Sequence, residues 1–376
     1  MVTTSTRHIR RALALTLAVL VGAGLLLVLT RGHSMARATH QTAAAPLPAP
    51  PSAAPHPVRR VTARPAQRLV AWHGPVPAIF FHPVVIDPRL AFTDDATGRG
   101  FQDYFVTAHE LQGILDGLYR NGWTLVDTQR AAAGTVRVPP GRKPLLLSED
   151  DVNYYAYFTG RGLAARLRLD PHGNVRAEVH DATGTHLSAQ DLVPMVDAEV
   201  AEHPDFSADG AKGLLAVTGY EGLLGEHAMT DPAARARVRA LASRLRATGW
   251  TFASHTYGHI NLSRDSAAVL ARDTARWRAV TGGLLGPVHV LVYPFGARPR
   301  AAGRAQLRDL GFPLQLDIDV RARLLRTDGV TVISRLHVDG FAFAAPARMA
   351  PFFSVATVRD PARPPSPAVG AVAGGG

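Results

Sequence analysis

The sequence predicts an α/β domain in which a largely parallel sheet is curled into a barrel. Apolar, strand-like runs alternate with helix-like segments along the chain, and strands joined by crossover helices form parallel sheets. The part of the chain that can fold, about 68–355, has the size of one barrel domain. No internal repeat divides it, so we expect a single domain.

Six short apolar runs predict the strands of this sheet. An insert at about 160–207 is less regular, and it contains a predicted hairpin, 169–184, with a His-Gly-Asn turn. The predicted strands are 76–85, 123–128, 143–148, 213–219, 250–254 and 288–293.

Capping signals locate the predicted helices. In the first, Thr107 is the expected N-cap and Glu110 completes a capping box. In the second, Asp231 is the expected N-cap and Gly249 the stop. The predicted helices are 107–122, 231–249, 264–281 with Ser263 as its cap, and a last one that ends near 310.

The N-terminal region is predicted to cross a membrane. Residues 12–30 are 19 uncharged and mostly apolar residues, about the length of a bilayer-spanning helix. Three arginines precede them, which favours a cytoplasmic N-terminus (1–11) and a signal anchor with the rest of the chain outside. The alternative is a cleaved signal peptide, with a poor cleavage site at 34–38.

Both flanks of the barrel are expected to be disordered. Residues 31–67 form a linker rich in Ala and Pro, which cannot bury enough apolar surface to fold. The tail, 356–376, has a similar composition. The linker would hold the domain off the membrane.

Composition excludes some functional classes. The net charge is +11, but the arginines are dispersed and the chain has only two lysines, so we expect no nucleic-acid binding. The chain has no cysteine, which excludes disulfides and thiolate metal sites. A transition metal would have to be held by histidine and carboxylate.

Three predicted strands end in residues that can carry chemistry, and strand ends meet at one rim of a parallel α/β fold. Each motif is weak alone, because acids after a strand usually cap a helix or lie in a solvated turn. Together, two histidines and a carboxylate can bind a metal ion with positions left open, and a second carboxylate can accept a proton. The residues are Asp150 and Asp151, His255 and His259, and the turn from Pro294 to Gly296.

These stretches resemble the motifs of polysaccharide deacetylases, carbohydrate esterase family 4, which carry a NodB homology domain. The family's Thr/Ser-Phe-Asp-Asp motif is here 148–151, Ser-Glu-Asp-Asp. Its His-Ser/Thr-x-x-His motif is 255–259, and its third motif, which ends in Pro-Tyr or a variant, is 293–296. The resemblance covers about 75–345.

The resemblance implies a distorted (β/α)7 barrel and metal-assisted hydrolysis of N-acetyl groups on a sugar polymer. It implies that Asp151, His255 and His259 bind a divalent ion, expected to be Zn²⁺, with Co²⁺ or Ni²⁺ as alternatives. Asp150 would be the general base, and the backbone N–H near Phe295 would help to hold the oxyanion.

The chain departs from the family pattern at several positions. Glu149 stands where Phe is usual, and Leu291 stands where an arginine would orient the base. In the last motif Arg335 stands in place of leucine. His337 is the candidate general acid, with a structural or surface role as the alternative. His82 is expected near the barrel mouth in a packing or rim role.

The predicted function is that of a membrane-anchored, metal-dependent deacetylase that acts on an N-acetylated cell-wall or surface polysaccharide. Its catalytic domain would be extracytoplasmic, or secreted if the N-terminal segment is cleaved. The departures leave open a catalytically weak glycan-binding protein on the same fold. A tethered protein that binds anionic polymers through its arginines is the third hypothesis.

Overall fold

The computed structural model describes residues 67–228 and 230–365. Within them, seven parallel strands form a closed barrel. Each pairs with the next in the ring, and the last of the seven in the chain pairs with both the sixth and the first. The seven are β2 (Ala78–Phe81), β5 (Lys143–Glu149), β9 (Gly213–Val217), β10 (Trp250–Ser254), β11 (Val290–Val292), β12 (Leu314–Ile318) and β14 (Val330–His337).

The closed parallel barrel agrees with the predicted fold class, but the predicted strands only partly match the ring. Five of the six are ring strands, whereas the run at 123–128 forms a side strand paired with β5. The last two ring strands were not among the predicted runs. The other strands are β1 (Val70–Ala71), β3 (Trp123–Leu125), β4 (Arg137–Val138), β6 (Ala164–Leu169), β7 (Val175–Asp181), β8 (Gly184–Ser188) and β13 (Leu324–Thr327).

Small and branched apolar side chains fill the barrel. Successive side chains of a strand point to opposite faces, so the ring strands contribute alternate residues to this core. The residues include Ala78, Leu146, Leu214, Ala216, Ala253, Val290, Val292, Leu314, Leu316 and Ile333.

Helices lie between the strands, and two of the three predicted N-caps are confirmed. The capping box of Thr107 and Glu110 is present, and Asp231 caps its helix as predicted. The helices of the described residues are α1 (Pro88–Ala91), α2 (Ala96–Tyr104), α3 (Ala108–Arg120), α4 (Thr128–Ala133), α5 (Leu192–Glu202), α6 (Pro232–Ala247), α7 (Ala267–Leu285), α8 (Ala301–Asp309), α9 (Gly340–Ala344) and α10 (Val355–Val358).

The predicted cap of α7 is wrong by one turn. Ser263 donates to the Asn261 side chain through both its N–H and its hydroxyl. The hydroxyl of Ser266 accepts from the N–H of Val269 instead. The helix therefore begins after Ser266, because the asparagine turn engages the earlier serine.

The insert contains a small antiparallel sheet followed by a helix. The predicted hairpin is confirmed as β6 and β7, and β8 extends it. Helix α5 follows, with Asp191 as its N-cap. This acid also accepts from Tyr154, just past β5, so it joins the insert to the strand end that carries the candidate site.

The predicted disordered tail begins too early. Helix α10 and the residues after it pack on the barrel domain, where Asp360 and Arg363 are buried. Residues 366–376 lie outside the described residues, as do the predicted anchor at 12–30 and nearly all of the linker. Within 67–228 and 230–365, no helix is long and apolar enough to cross a membrane.

Candidate metal-binding and catalytic site

The candidate site lies at the carboxyl ends of the ring strands. Asp150 and Asp151 follow β5, His255 follows β10, and the turn from Pro294 to Gly296 follows β11. His337 is the last residue of β14. Since the strands are parallel, these ends share one rim, as the sequence predicts.

Three of these side chains converge. One ligand atom from each of Asp151, His255 and His259 lies within 4.8 Å of the others. The two histidine Nε2 atoms are 3.2 Å apart, and Asp151 Oδ1 lies 3.8 Å and 3.6 Å from them. Ligands about 2.0–2.2 Å from a tetrahedral ion are about 3.3–3.6 Å apart, so this set fits a divalent ion such as Zn²⁺.

Burial keeps both histidines neutral, which is the form that binds metals. Desolvation lowers the pKa of His255 to about 4, and desolvation together with His82 lowers that of His259 to about 3. Nδ1 of His255 lies 3.0 Å from the carbonyl oxygen of Val292, which fixes the ring and directs Nε2 into the site.

Helix α7 holds the loop that carries the two histidines. Asp273 accepts from the N–H groups of Tyr257 and Gly258 at 2.7 Å and 2.9 Å. Thr256 and His259 have φ angles of 61° and 50°, in the left-handed region that non-glycine residues rarely adopt. This strain is tolerated because the surrounding contacts fix the loop.

Asp150 forms a buried bidentate ion pair with Arg335 of β14. The two N–O distances are 2.6 Å and 2.8 Å, and the arginine also donates to Ser148. Burial alone would raise the pKa of Asp150, but the Arg335 charge and then His255 outweigh it and lower the pKa to about 2. The carboxylate is therefore ionised and held in one orientation.

Arg335 was noted in the sequence only as a departure from the last motif, and its contact with Asp150 was not predicted. Leu291, where the resemblance placed the missing arginine, is buried in strand β11. The guanidinium comes instead from Arg335, which is fully buried and lies over the ring of Phe80. One signal was available: Arg335 and His337 are two apart in a strand, so both face the barrel interior.

Two further side chains reach Asp151. The hydroxyl of Tyr155 donates to its Oδ1 at 2.7 Å, and Nε2 of His82 lies 3.8 Å from its Oδ2. Nδ1 of His82 lies 3.2 Å from the carbonyl oxygen of Tyr104. His82 therefore borders the candidate ligand set, closer than the predicted rim role implied.

His337 is paired with an acid two residues later. Its Nδ1 lies 2.7 Å from Asp339 Oδ2, and its ring stacks on Phe80 at 4.2 Å. Its Nε2 is buried and has no hydrogen-bond partner among the described residues. The ring of His82 is 4.6 Å away. This arrangement fixes the imidazole and leaves one nitrogen free to exchange a proton.

Phe295 lies in a strained turn beside the metal-ligand candidates. Its φ is 59°, and its ring is 4.3 Å from that of His259. No acceptor for its N–H occurs within the described residues. An ion pair between Arg298 and the buried Asp317 ties the following residues to β12.

The third acid of the first motif differs from its neighbours. Glu149 is fully buried, and its two carboxyl oxygens have no partner among the residues described. Burial, and then the charges of Asp191 and Asp150, raise its pKa well above the usual range. The three adjacent acids thus have different environments: Glu149 favours the neutral form, Asp150 is paired with arginine, and Asp151 faces the histidines.

No family model matches the chain, and no curated protein matches it. Among solved structures, it is similar to the Streptococcus pyogenes deacetylase PplD in complex with acetate, with 11% identity, 75% of this chain and 99% of that chain covered, and a TM-score of 0.46. It is also similar to the putative polysaccharide deacetylase BA0330 from Bacillus anthracis, with 14% identity, 72% and 68% coverage and a TM-score of 0.45. A third is IcaB from Ammonifex degensii, with 16% identity, 71% and 93% coverage and a TM-score of 0.43. The first is described as a deacetylase and the second as a putative polysaccharide deacetylase.

Proposed function

We propose that this protein is a metal-dependent hydrolase that removes N-acetyl groups from a polysaccharide. One observation carries the proposal: Asp151, His255 and His259 converge at the barrel mouth, next to a carboxylate, Asp150, that a buried arginine holds ionised. This combination provides a ligand set with open positions and a base outside it.

Asp151, His255 and His259 would hold the ion, which we take to be Zn²⁺, with Co²⁺ and Ni²⁺ as alternatives. A bound divalent ion supplies Lewis acidity: it polarises the amide carbonyl and lowers the pKa of water. Tyr155 supports this role, because its hydrogen bond orients the carboxylate of Asp151.

Asp150 would accept the proton of the attacking water. Arg335 binds both carboxylate oxygens and so fixes the direction in which Asp150 points. The N–H of Phe295 has no acceptor among the described residues, which suits a donor to the developing oxyanion.

His337 would return a proton to the leaving amine. Asp339 holds Nδ1, so the free Nε2 is the nitrogen that exchanges the proton. The stacking on Phe80 restricts ring rotation. An acid and a base on different strands suit amide hydrolysis, in which one proton is taken up and another given back.

The substrate we propose is an N-acetylated glycan of the cell wall or cell surface. BA0330 is described as a putative polysaccharide deacetylase, and PplD is described with acetate, the expected product. The arginines before the apolar segment at 12–30 support a location outside the cytoplasmic membrane, anchored or secreted.

The alternative of a catalytically weak glycan-binding protein rested on the absent arginine and the altered last motif. The pairs Arg335–Asp150 and His337–Asp339 weaken that reason. Acetate release therefore distinguishes the two functions. We expect the zinc-loaded protein to release acetate from N-acetylglucosamine oligomers, and the Asp150→Ala variant to release about 10²–10⁴-fold less.

A chelator should abolish acetate release by the wild type, and added Zn²⁺ should restore it. Equal release by wild type and Asp150→Ala would refute the proposed mechanism. Tight oligomer binding without any release, whatever the metal, would favour the glycan-binding alternative.

A further inference from the structure

Two aromatic side chains lie exposed near the candidate site. Tyr157 is 43% exposed and Phe341 is 45% exposed, and no other Phe, Tyr or Trp within 67–228 and 230–365 is as exposed. Large apolar side chains at the surface that adjoin a functional cleft commonly mark contact with a ligand.

Helix α2 connects these two residues. The ring of Tyr157 lies 6.1 Å from that of Phe101 and nearly parallel to it, with an interplanar angle of 11°. The ring of Phe341 lies 5.4 Å from that of Tyr104. Phe101 and Tyr104 are three residues apart, so they lie on the same face of the helix. We call these four rings the aromatic ridge.

The aromatic ridge borders the candidate site at both ends. At one end Tyr157 stacks on Tyr155, at 5.9 Å and 12°, and the hydroxyl of Tyr155 donates to Asp151. At the other end the ring of Tyr104 lies 6.4 Å from His337, nearly parallel to it. The ridge therefore runs from the candidate metal ligands to the candidate acid.

Buried aromatic side chains support the two exposed rings. Phe101 and Tyr104 are buried, at 1% and 4% exposure, and Phe101 also contacts Phe105 at 5.1 Å. Phe105 in turn lies 5.3 Å from His82, which borders Asp151. Two exposed rings on a fixed support form a binding surface that requires little reordering when a ligand binds.

We propose that the aromatic ridge binds successive sugar rings of the polysaccharide, so that the enzyme acts within a glycan chain rather than on single sugars. This inference rests on the proposed function. A pyranose ring presents apolar C–H groups on its faces and hydroxyls around its edge, so its faces pack on aromatic rings. Tyr157 and Phe341 would each hold one ring, with the acetylated sugar between them.

The test compares binding of a hexamer of N-acetylglucosamine with binding of the single sugar, using the full chain with its metal removed by chelation. Tyr157→Ala and Phe341→Ala should each weaken hexamer binding about tenfold, since each removes a contact area of roughly 50 Å². Tyr157→Phe keeps the ring and should bind like the wild type. The control is Leu187→Ala, which truncates a side chain of similar exposure on β8.

In the zinc-loaded enzyme, both alanine variants should lower kcat/KM for the hexamer relative to that for the dimer by about tenfold. If both variants bind the hexamer as tightly as Leu187→Ala does, the inference is wrong even where acetate is released. If the wild type binds an acetylated peptide but no hexamer, it is also wrong. Ridge-dependent hexamer binding without acetate release would support the ridge and refute the proposed function.

Discussion

Two buried arginine–carboxylate pairs occupy different parts of this domain, and their surroundings differ. Arg335 binds Asp150 at the barrel mouth, at 2.6 Å and 2.8 Å. Arg363 binds Glu110 at the start of α3, with both distances 2.6 Å. The side chains of the two arginines are 0% and 2% exposed. The two ion pairs are therefore of the same chemical kind and are buried to a similar extent.

Around Glu110 the hydrogen bonds are complete. Its carboxylate also accepts from the N–H groups of Thr107 and Asp360, and Arg363 donates to the carbonyl oxygens of Gln102 and Phe105. This pair fastens the C-terminal segment to the helices beside the barrel. A buried ion pair with complete hydrogen bonding holds two parts of the fold together. Removing one partner is destabilising, because it leaves a buried charge without a partner.

Around Asp150 the hydrogen bonds are incomplete. Nε of Arg335 and Nε2 of His337 are buried without partners among the described residues, and three candidate metal ligands converge beside the pair. Buried polar groups without partners are costly in a folded protein. The comparison separates a pair that joins two parts of the fold from one that borders the candidate site.

The largest expected effect is on the metal ligands. His255→Ala and Asp151→Ala should each reduce bound zinc from one ion per chain to near zero and abolish acetate release, because a two-ligand site holds the ion weakly. Metal content after dialysis and acetate release measure both. His172→Ala, at an exposed turn of the insert, is the control and should keep one zinc. A fully loaded His255→Ala protein would contradict the proposed ligand set.

Asp150→Asn is expected to have the next largest effect, and it tests the Asp150–Arg335 pair. The amide keeps the size of the side chain but cannot accept a proton, so kcat should fall about 10²–10⁴-fold while zinc remains bound. Steady-state acetate release and metal content measure the two quantities. An unchanged kcat would mean that Asp150 is not the base.

Exchanging each arginine for leucine contrasts the two pairs directly. Arg363→Leu should lower the free energy of unfolding by about 3–5 kcal/mol, with kcat of the folded protein within about twofold of wild type. Arg335→Leu should lower kcat as well as stability, because Asp150 loses its orientation. Urea unfolding and acetate release distinguish the variants. If Arg363→Leu lost kcat as strongly as Arg335→Leu, the contrast would fail.

Tyr155→Phe should have a smaller effect. It removes the hydrogen bond to Asp151 and keeps the ring, so zinc affinity should fall about 10–100-fold. Competition with a fluorescent chelator measures the affinity. Tyr157→Phe is the control, since no hydrogen bond to Asp151 is found for its hydroxyl among the described residues.

A further prediction concerns the pH dependence of stability in the metal-free protein. The folded-state pKa values of His255 and His259, about 4 and about 3, lie below the ordinary 6.5. Between those values the unfolded chain binds protons that the folded chain does not. Stability should therefore fall as pH drops from 6.5 to 4, by up to about 1.4 kcal/mol per pH unit for each ring.

Urea unfolding with a chelator at several pH values measures this slope. His82, whose pKa burial also lowers, adds to it. His255→Asn should reduce the slope by the contribution of one proton, about 1.4 kcal/mol per pH unit. A variant with the wild-type slope would contradict the assigned protonation states. Asp150 contributes only at lower pH: its stabilisation is lost between about 4 and about 2.

The sequence predicted what local patterns encode. The candidate ligands were found because strand ends and a four-residue histidine spacing are visible in the chain. The contact of Arg335 with Asp150 was missed because its partner is 185 residues away in the chain, and no local pattern links the two. The ordered C-terminal segment was missed for the same reason, since Arg363 and Glu110 are 253 residues apart in the chain. Arg363 also lies in a Pro-rich stretch, which favours a prediction of disorder.

The most direct test is a crystal structure of the protein with zinc, with anomalous diffraction recorded at the zinc edge. We predict one strong anomalous peak about 2.0–2.2 Å from Nε2 of His255, Nε2 of His259 and a carboxylate oxygen of Asp151, with Asp150 still bound to Arg335. A zinc peak elsewhere, or a zinc ion bound by Asp150 in place of Asp151, would contradict the account.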